Sequence, residues 1–105
     1  MTIVAGVDSS TQSCTVTLHE ASSGMLLASA SAPHPRTGSP SSEQNPDDWW
    51  AALVIAFARA CELAGCSPAD VRGISIAAQY HGLVALDSAD RVIRPAKLWN
   101  DTTSA

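Results

Sequence analysis

Residues 3–7 form a short, continuous apolar run rich in β-branched side chains, the pattern of a fully buried strand. Asp8-Ser9-Ser10-Thr11-Gln12-Ser13 interrupts it with small and polar residues and predicts a turn. Cys14, Val16 and Leu18 then alternate with Thr15, Thr17 and His19, as in a half-buried strand. Residues 20–24 read as a second turn and residues 25–32 as a third strand, so the first third predicts an antiparallel three-strand meander.

Residues 34–46 lack periodicity and carry Pro35, Gly38 and Pro40, which predicts a loop. Asn45-Pro46-Asp47-Asp48 is a helix start: Asn caps, Pro suits the first helical position, and two acids complement the dipole. The helix is expected to run to Ala64 and to end at Gly65. Trp49, Leu53, Phe57 and Ala60 lie on one side, and Trp50, Val54, Ala58 and Cys61 on another. A helix apolar nearly all round is normally buried on more than one side. Ser67-Pro68-Ala69-Asp70 has the form of a capping box opening a single turn. Residues 71–78 read as another buried strand, and residues 83–86 and 91–93 as a hairpin turning at residues 88–90.

The chain has 105 residues, enough for one small domain. Charged residues are 15% against a norm of about 25%. That shortage implies either a bias to small residues or a surface covered by something else, and the over-apolar helix favours the second. The net charge of −4 and scattered basic residues argue against a nucleic-acid or membrane surface. No stretch reaches the ~18 apolar residues of a membrane span. No basic residue precedes the N-terminal apolar run, so no signal peptide is expected. Three cysteines at unrelated spacings favour free thiols in a reducing cytoplasm.

Three motifs carry candidate chemistry. Asp8 at a strand tip, followed by Ser10, Thr11 and Gln12, offers a carboxylate for Mg²⁺ and hydroxyl and amide groups for phosphate oxygens. The same residues are also preferred in ordinary turns. Gln79-Tyr80-His81-Gly82 follows a predicted strand, where α/β sheets bind ligands, and can hydrogen-bond a polyhydroxylated substrate; a capped strand end is the plain alternative. Trp99-Asn100-Asp101 can hold a sugar by one apolar face and hydrogen-bonded edges, or can be a core Trp before a helix cap. Cysteine and histidine spacings do not support a zinc site, and no Gly-x-x-x-x-Gly-Lys phosphate loop is present.

In order along the chain, these motifs resemble the carbohydrate-kinase family of glycerol kinase and xylulokinase. Val7-Asp8-Ser9-Ser10-Thr11-Gln12-Ser13 looks like the first phosphate motif of sugar kinases with the actin-like ATPase fold. Gln79-Tyr80-His81-Gly82 and Leu98-Trp99-Asn100-Asp101 are similar to the xylulokinase pattern of Gln-Met-His-Gly and Leu-Trp-Asn-Asp. The resemblance implies an α/β architecture: a partial actin-like ATPase (ribonuclease H-like) domain, with an antiparallel three-strand meander followed by a helix and a parallel strand. Residues 1–105 would be the opening part of the N-terminal domain, with the rest of that domain, the C-terminal domain, the general base and the adenine pocket lying elsewhere.

The implied reaction is transfer of the ATP γ-phosphoryl group to a ketopentose, D-xylulose above all, with Mg²⁺. Asp8 would help place Mg²⁺ and the γ-phosphate, and Ser10, Thr11 and Gln12 would face the phosphates. Gln79, Tyr80, His81 and Gly82, with Trp99, Asn100 and Asp101, would line the sugar pocket. The implied partner is a small sugar, without nucleic acid or membrane, and homodimerisation or self-association through apolar surface is expected. Gluconate, ribulose or glycerol as acceptor, or a non-catalytic actin-like module binding nucleotide or a partner, are the competing readings. Three departures stand out: Ser10 where the family usually has Gly, Thr15 where Lys or Arg is common, and Tyr80 in place of Met.

Overall fold

A computed structural model describes residues 1–35, 43–78 and 84–97 of the chain. Its centre is a four-stranded sheet in the order β3-β2-β1-β5, built from β1 (Ile3–Ser9), β2 (Ser13–Glu20), β3 (Leu26–Pro33) and β5 (Val71–Ala78). The first three strands are antiparallel, and β5 joins β1 in parallel after the crossover through α1 (Pro46–Ala64). A second, two-residue pairing joins β4 (Glu43–Gln44) to β6 (Ala96–Lys97).

The expected meander is present, with two corrections to its first strand. Residues 3–7 are not uniformly buried: Ile3, Ala5 and Val7 are buried, whereas Val4 and Gly6 are half-buried. The strand also runs on to Ser9, so Asp8 pairs with Thr15 inside the sheet and does not open the turn. Cys14, Val16 and Leu18 are fully buried in β2, and Ala28, Ala30 and Ala32 continue the same inner face in β3.

The helix has the expected limits. The Asn45 side chain accepts the Asp47 N–H at 3.0 Å. Gly65 closes the helix with φ 69°, a left-handed conformation in which glycine carries no Cβ penalty. The Gly65 and Cys66 N–H groups donate to the carbonyls of Glu62 and Cys61, at 3.2 and 3.0 Å. The buried residues of α1 are Ala52, Ala56, Ala60 and Cys61. This narrow stripe of small side chains recurs every fourth residue, and α1 packs against β2 and β3. Leu53 and Phe57 pack against that core only in part, and Trp50 and Leu63 stay 68% and 70% exposed. Among the described residues, then, α1 is covered on one side only.

The strand expected at residues 71–78 forms but is not buried. Ile74 and Ile76 are 56% and 61% exposed, because β5 is the sheet's edge strand and α1 sits over the opposite half. An apolar groove of about 490 Å³ opens there, lined by Trp50, Leu53, Val54, Phe57, Ile74 and Ile76 among others. The capping box at Ser67 and Asp70 opens one 3₁₀ turn, as expected. The predicted hairpin is also present: Leu86 bridges Val92, and the Asp87 carboxylate accepts the N–H groups of Ala89 and Arg91. Residues 34–46 are not all loop, since β4 lies within them, and residues 96–97 pair with it.

Candidate functional site

Period two along β1 sorts its side chains between the two sheet faces. Ile3, Ala5 and Val7 enter the core under α1. Gly6 and Asp8 line a shallow depression of about 430 Å³ together with Thr15, Thr17, Ser75 and Ala77. The depression has small and hydroxyl-bearing walls and one exposed carboxylate, Asp8, at its edge. Thr15 shares a 2.7 Å hydrogen bond with the Ser31 hydroxyl across β2 and β3.

Beyond Ser9 the chain turns through Ser10, Thr11 and Gln12 into β2. The Ser10 N–H and hydroxyl both donate to the Ser13 carbonyl, at 2.9 and 3.1 Å. Ser10 and Gln12 are exposed and Thr11 is half-buried. The turn is held from its inner side. The His34 N–H donates to the Gln12 carbonyl at 2.8 Å, and the His34 ring lies 3.5 Å from the Ser9 hydroxyl. Gln44 donates to the Thr11 carbonyl at 2.7 Å and to the Pro35 carbonyl at 3.3 Å. The carboxamide oxygen of Gln44 accepts the Trp49 indole N–H at 2.7 Å. Residues 34–46 carry no periodic signal, and Trp49 reads as one more apolar helix position, so nothing in the sequence marks these three side chains as supports of the turn.

The electrostatics follow burial. His34 is 4% exposed, and desolvation lowers its pKa, with the Asp48 charge pulling the other way. Burial raises the Cys14 thiol, and the Asp8 charge adds to that. Burial, and then contact with the Cys66 thiol, pushes Cys61 up to about 11. Both buried thiols are therefore protonated and inert at neutral pH. All three cysteines are free.

Of the sequence-derived site residues, Asp8, Ser10, Thr11 and Gln12 come together at one end of the sheet. Gln79, Tyr80, His81, Gly82, Trp99, Asn100 and Asp101 lie outside the described residues. Their described neighbours converge on the same end. Ala78, which precedes Gln79, pairs with Ser9. Ala96 pairs with Gln44, whose side chain grips Thr11. The Arg94 guanidinium ion-pairs with Glu43 and fastens this second pairing.

Asp8 presents a single carboxylate, and no group of three or more potential metal-ligating residues occurs among the described residues. That donor set fits Mg²⁺, which is commonly held by one or two carboxylates plus phosphate oxygens and water, and does not form a closed protein cage.

The sheet order and the helical crossover are those of the actin-like ATPase fold. Residues 3–105 match the N-terminal domain of the FGGY family of carbohydrate kinases, and the chain belongs to that family. It is 49% identical to a xylulose kinase of Arthrobacter sp. over 105 residues, the whole of both sequences. It is 40% identical over 103 residues to the xylulose kinase of Streptomyces coelicolor, covering 98% of this chain but 21% of that protein. The crystal structure of xylulose kinase from Bifidobacterium adolescentis superposes with a TM-score of 0.77 at 44% identity, over 96% of this chain and 18% of that one. The chain thus spans about a fifth of the length of the Streptomyces and Bacillus subtilis xylulose kinases it matches.

Proposed function

We propose that these residues are the opening part of the N-terminal domain of an ATP-dependent kinase that converts D-xylulose to D-xylulose 5-phosphate. The observation that carries the reading is the convergence at one sheet end. Asp8 with the Ser10–Gln12 turn, the C-terminal end of β5 and the β4–β6 pairing all meet there. In that reading Ser10, Thr11 and Gln12 face the ATP phosphates and Asp8 holds Mg²⁺ through water. Bound Mg²⁺ supplies neutralisation of phosphate charge. Gln79, Tyr80, His81, Gly82, Trp99, Asn100 and Asp101 hold and orient the sugar. Catalysis is then mostly positioning and electrostatics, with the proton of the attacking hydroxyl taken by a base outside residues 1–105. The high identity to xylulose kinases supports xylulose over gluconate, ribulose or glycerol. The free thiols suit a cytoplasmic setting.

The exposed apolar groove between α1 and β5 supports a longer parent chain, whose remainder covers it. By itself the 105-residue chain provides one wall of a cleft, performs no phosphoryl transfer and self-associates through that groove.

The test is a coupled ADP-release assay with MgATP and a panel of xylulose, ribulose, gluconate and glycerol. It is run on the complete kinase carrying these residues and on residues 1–105 alone, with light scattering on the latter. Turnover is expected with xylulose in the complete chain only. In the complete chain, Asp8→Ala should cut kcat at least about 100-fold, the scale of losing one preorganised charge-stabilising group, while xylulose binding persists. Preference for another sugar overturns the substrate, and nucleotide binding without turnover on any sugar favours the non-catalytic module. Normal turnover of Asp8→Ala makes Asp8 an ordinary strand residue.

A further inference from the structure

The phosphate-motif turn has a back side, and one buried side chain dominates it. Gln44 is 5% exposed, yet it belongs to the two-residue strand β4 and has no part in the sheet that carries the turn. Its carboxamide touches three separate segments. The NH₂ group donates to the carbonyl of Thr11 in the turn and to that of Pro35 just after β3, and the oxygen accepts from Trp49 in the first turns of α1.

The chemistry of the partners leaves one orientation. An indole N–H only donates and a backbone carbonyl only accepts, so the carboxamide oxygen must face Trp49 and its nitrogen must face the carbonyls. Glutamate would set an anionic oxygen against two carbonyl oxygens. Leucine would withdraw the amide that the Thr11 carbonyl and the Trp49 N–H both use, at a part-buried site. A glutamine is therefore suited to this point by both shape and polarity.

The consequence for the turn follows from peptide planarity. In a trans peptide the C=O and the next N–H point in opposite directions. With the Thr11 carbonyl drawn inward to Gln44, the Gln12 N–H is directed to the outer side of the turn. The neighbouring Gln12 carbonyl is also drawn inward, by the His34 N–H.

We propose that Gln44 is a positioning residue for nucleotide binding: by clasping the Thr11 carbonyl against Trp49 and Pro35 it holds the Ser10–Thr11–Gln12 turn so that the Gln12 N–H faces the ATP phosphates. This rests on the kinase reading given above, since it takes ATP as the anion at the turn. Gln44 itself touches no substrate. It also couples the turn to the start of α1 and, through the Ala96 pairing, to the segment that leads toward Asn100.

The test compares Gln44→Leu, Gln44→Glu and Trp49→Phe in the complete kinase chain. Trp49→Phe removes the indole N–H and keeps most of the side chain's bulk. Hydrogen exchange, read by mass spectrometry, follows the Ser10 and His34 amides, which close the turn through the carbonyls of Ser13 and Gln12. Steady-state kinetics give KM for ATP and for xylulose separately. In Gln44→Leu the exchange protection of those two amides should fall about tenfold, the factor supplied by one ordinary hydrogen bond, with central β1 and β2 amides unchanged. KM for ATP should rise about tenfold and KM for xylulose should stay within about twofold. Gln44→Glu should behave like Gln44→Leu, and Trp49→Phe should give a smaller change of the same kind, which keeps the test decisive if the Gln44 variants do not fold. Unchanged turn protection in Trp49→Phe, protection lost evenly across β1 and β2, or equal rises in both KM values overturn the proposal. Absence of kinase activity in the unmodified complete chain overturns the kinase reading and with it the assignment to ATP, while the exchange data still report whether the clasp holds the turn.

Discussion

Gly6 stands in the middle of β1, between β2 and β5, on the face that carries Asp8. A Cβ added there would lie 2.9 Å from the Thr17 hydroxyl oxygen, closer than a side-chain contact tolerates. That oxygen is engaged already, at 3.0 Å from His19 Nε2 and 3.4 Å from the Gly6 carbonyl. Gly6→Ala therefore forces Thr17 to rotate and give up its histidine partner, at a cost of about 0.5–1.5 kcal/mol for one hydrogen bond at a half-exposed site. Against this, replacing glycine by alanine stabilises by about 0.4–1 kcal/mol through the unfolded chain, wherever the backbone accepts a side chain. Gly6 is not among the glycines with positive φ, so the backbone does accept one.

The two effects nearly cancel in the natural background, and Gly6→Ala should range from neutral to about 1 kcal/mol destabilising. In a Thr17→Ala background the clash and the hydrogen bond are both gone. There the same substitution should stabilise by about 0.4–1 kcal/mol. A double-mutant cycle on urea midpoints isolates the difference, a coupling of about 1 kcal/mol, or about 0.5 M urea at a typical slope. Zero coupling, or a Gly6→Ala that is worse without Thr17 than with it, would refute the reasoning. It would mean that the limit at Gly6 comes from another neighbour.

Four further outcomes are expected. Asn45→Ala should destabilise by about 1 kcal/mol, because the cap that accepts the Asp47 N–H is lost; Gly65→Ala should cost a similar amount at its left-handed φ of 69°. Burial lowers the His34 pKa below its ordinary 6.5, so on acidification the unfolded chain takes up this proton before the folded one does. Stability should thus fall as pH drops below 6.5, and His34→Gln should flatten the fall of the urea midpoint on that acid side. Alkylation near pH 8, mapped by peptide mass, should leave Cys14 and Cys61 unmodified until urea unfolds the chain, since both thiols are buried with raised pKa values.

Where an element could be read from the chain, a local signal was complete within it. The alternation of Cys14, Val16 and Leu18 marks β2, and Asn45-Pro46 with Gly65 marks both ends of α1. The capping box and the hairpin at Asp87 are equally local. Asp8, Ser10, Thr11 and Gln12 could be singled out because a carboxylate and hydroxyls cluster in sequence. What escaped depends on tertiary placement. Ile74 and Ile76 look like core residues, but their strand ends up at the sheet edge. Two-residue strands such as β4 and β6 are too short for any period. Gln44, His34 and Trp49 support the turn from positions 33, 22 and 38 residues beyond Gln12 or Thr11, with no pattern linking them.

The position of Asp8 depends on register, and the sheet protects register where the site lies. A slip of one residue in β1 would move Asp8 into the core under α1 and turn Val7 out. Both irregularities that touch this part of the sheet occur at its other end, between Ile3 and Val4 toward β5 and between Leu18 and His19 toward β3. From Val4 to Ser9 the pairing with β5 is regular, and from Ile3 to Ser9 so is the pairing with β2. Val7 anchors the arrangement, since it is 4% exposed and pairs with the fully buried Val16. The next two residues then divide by parity. Asp8 faces the open depression with Thr15 and Ala77, while Ser9 faces inward to the buried His34. Burial of one apolar side chain thereby fixes the direction of the carboxylate beside it, and the clasp on Thr11 fixes the turn that follows.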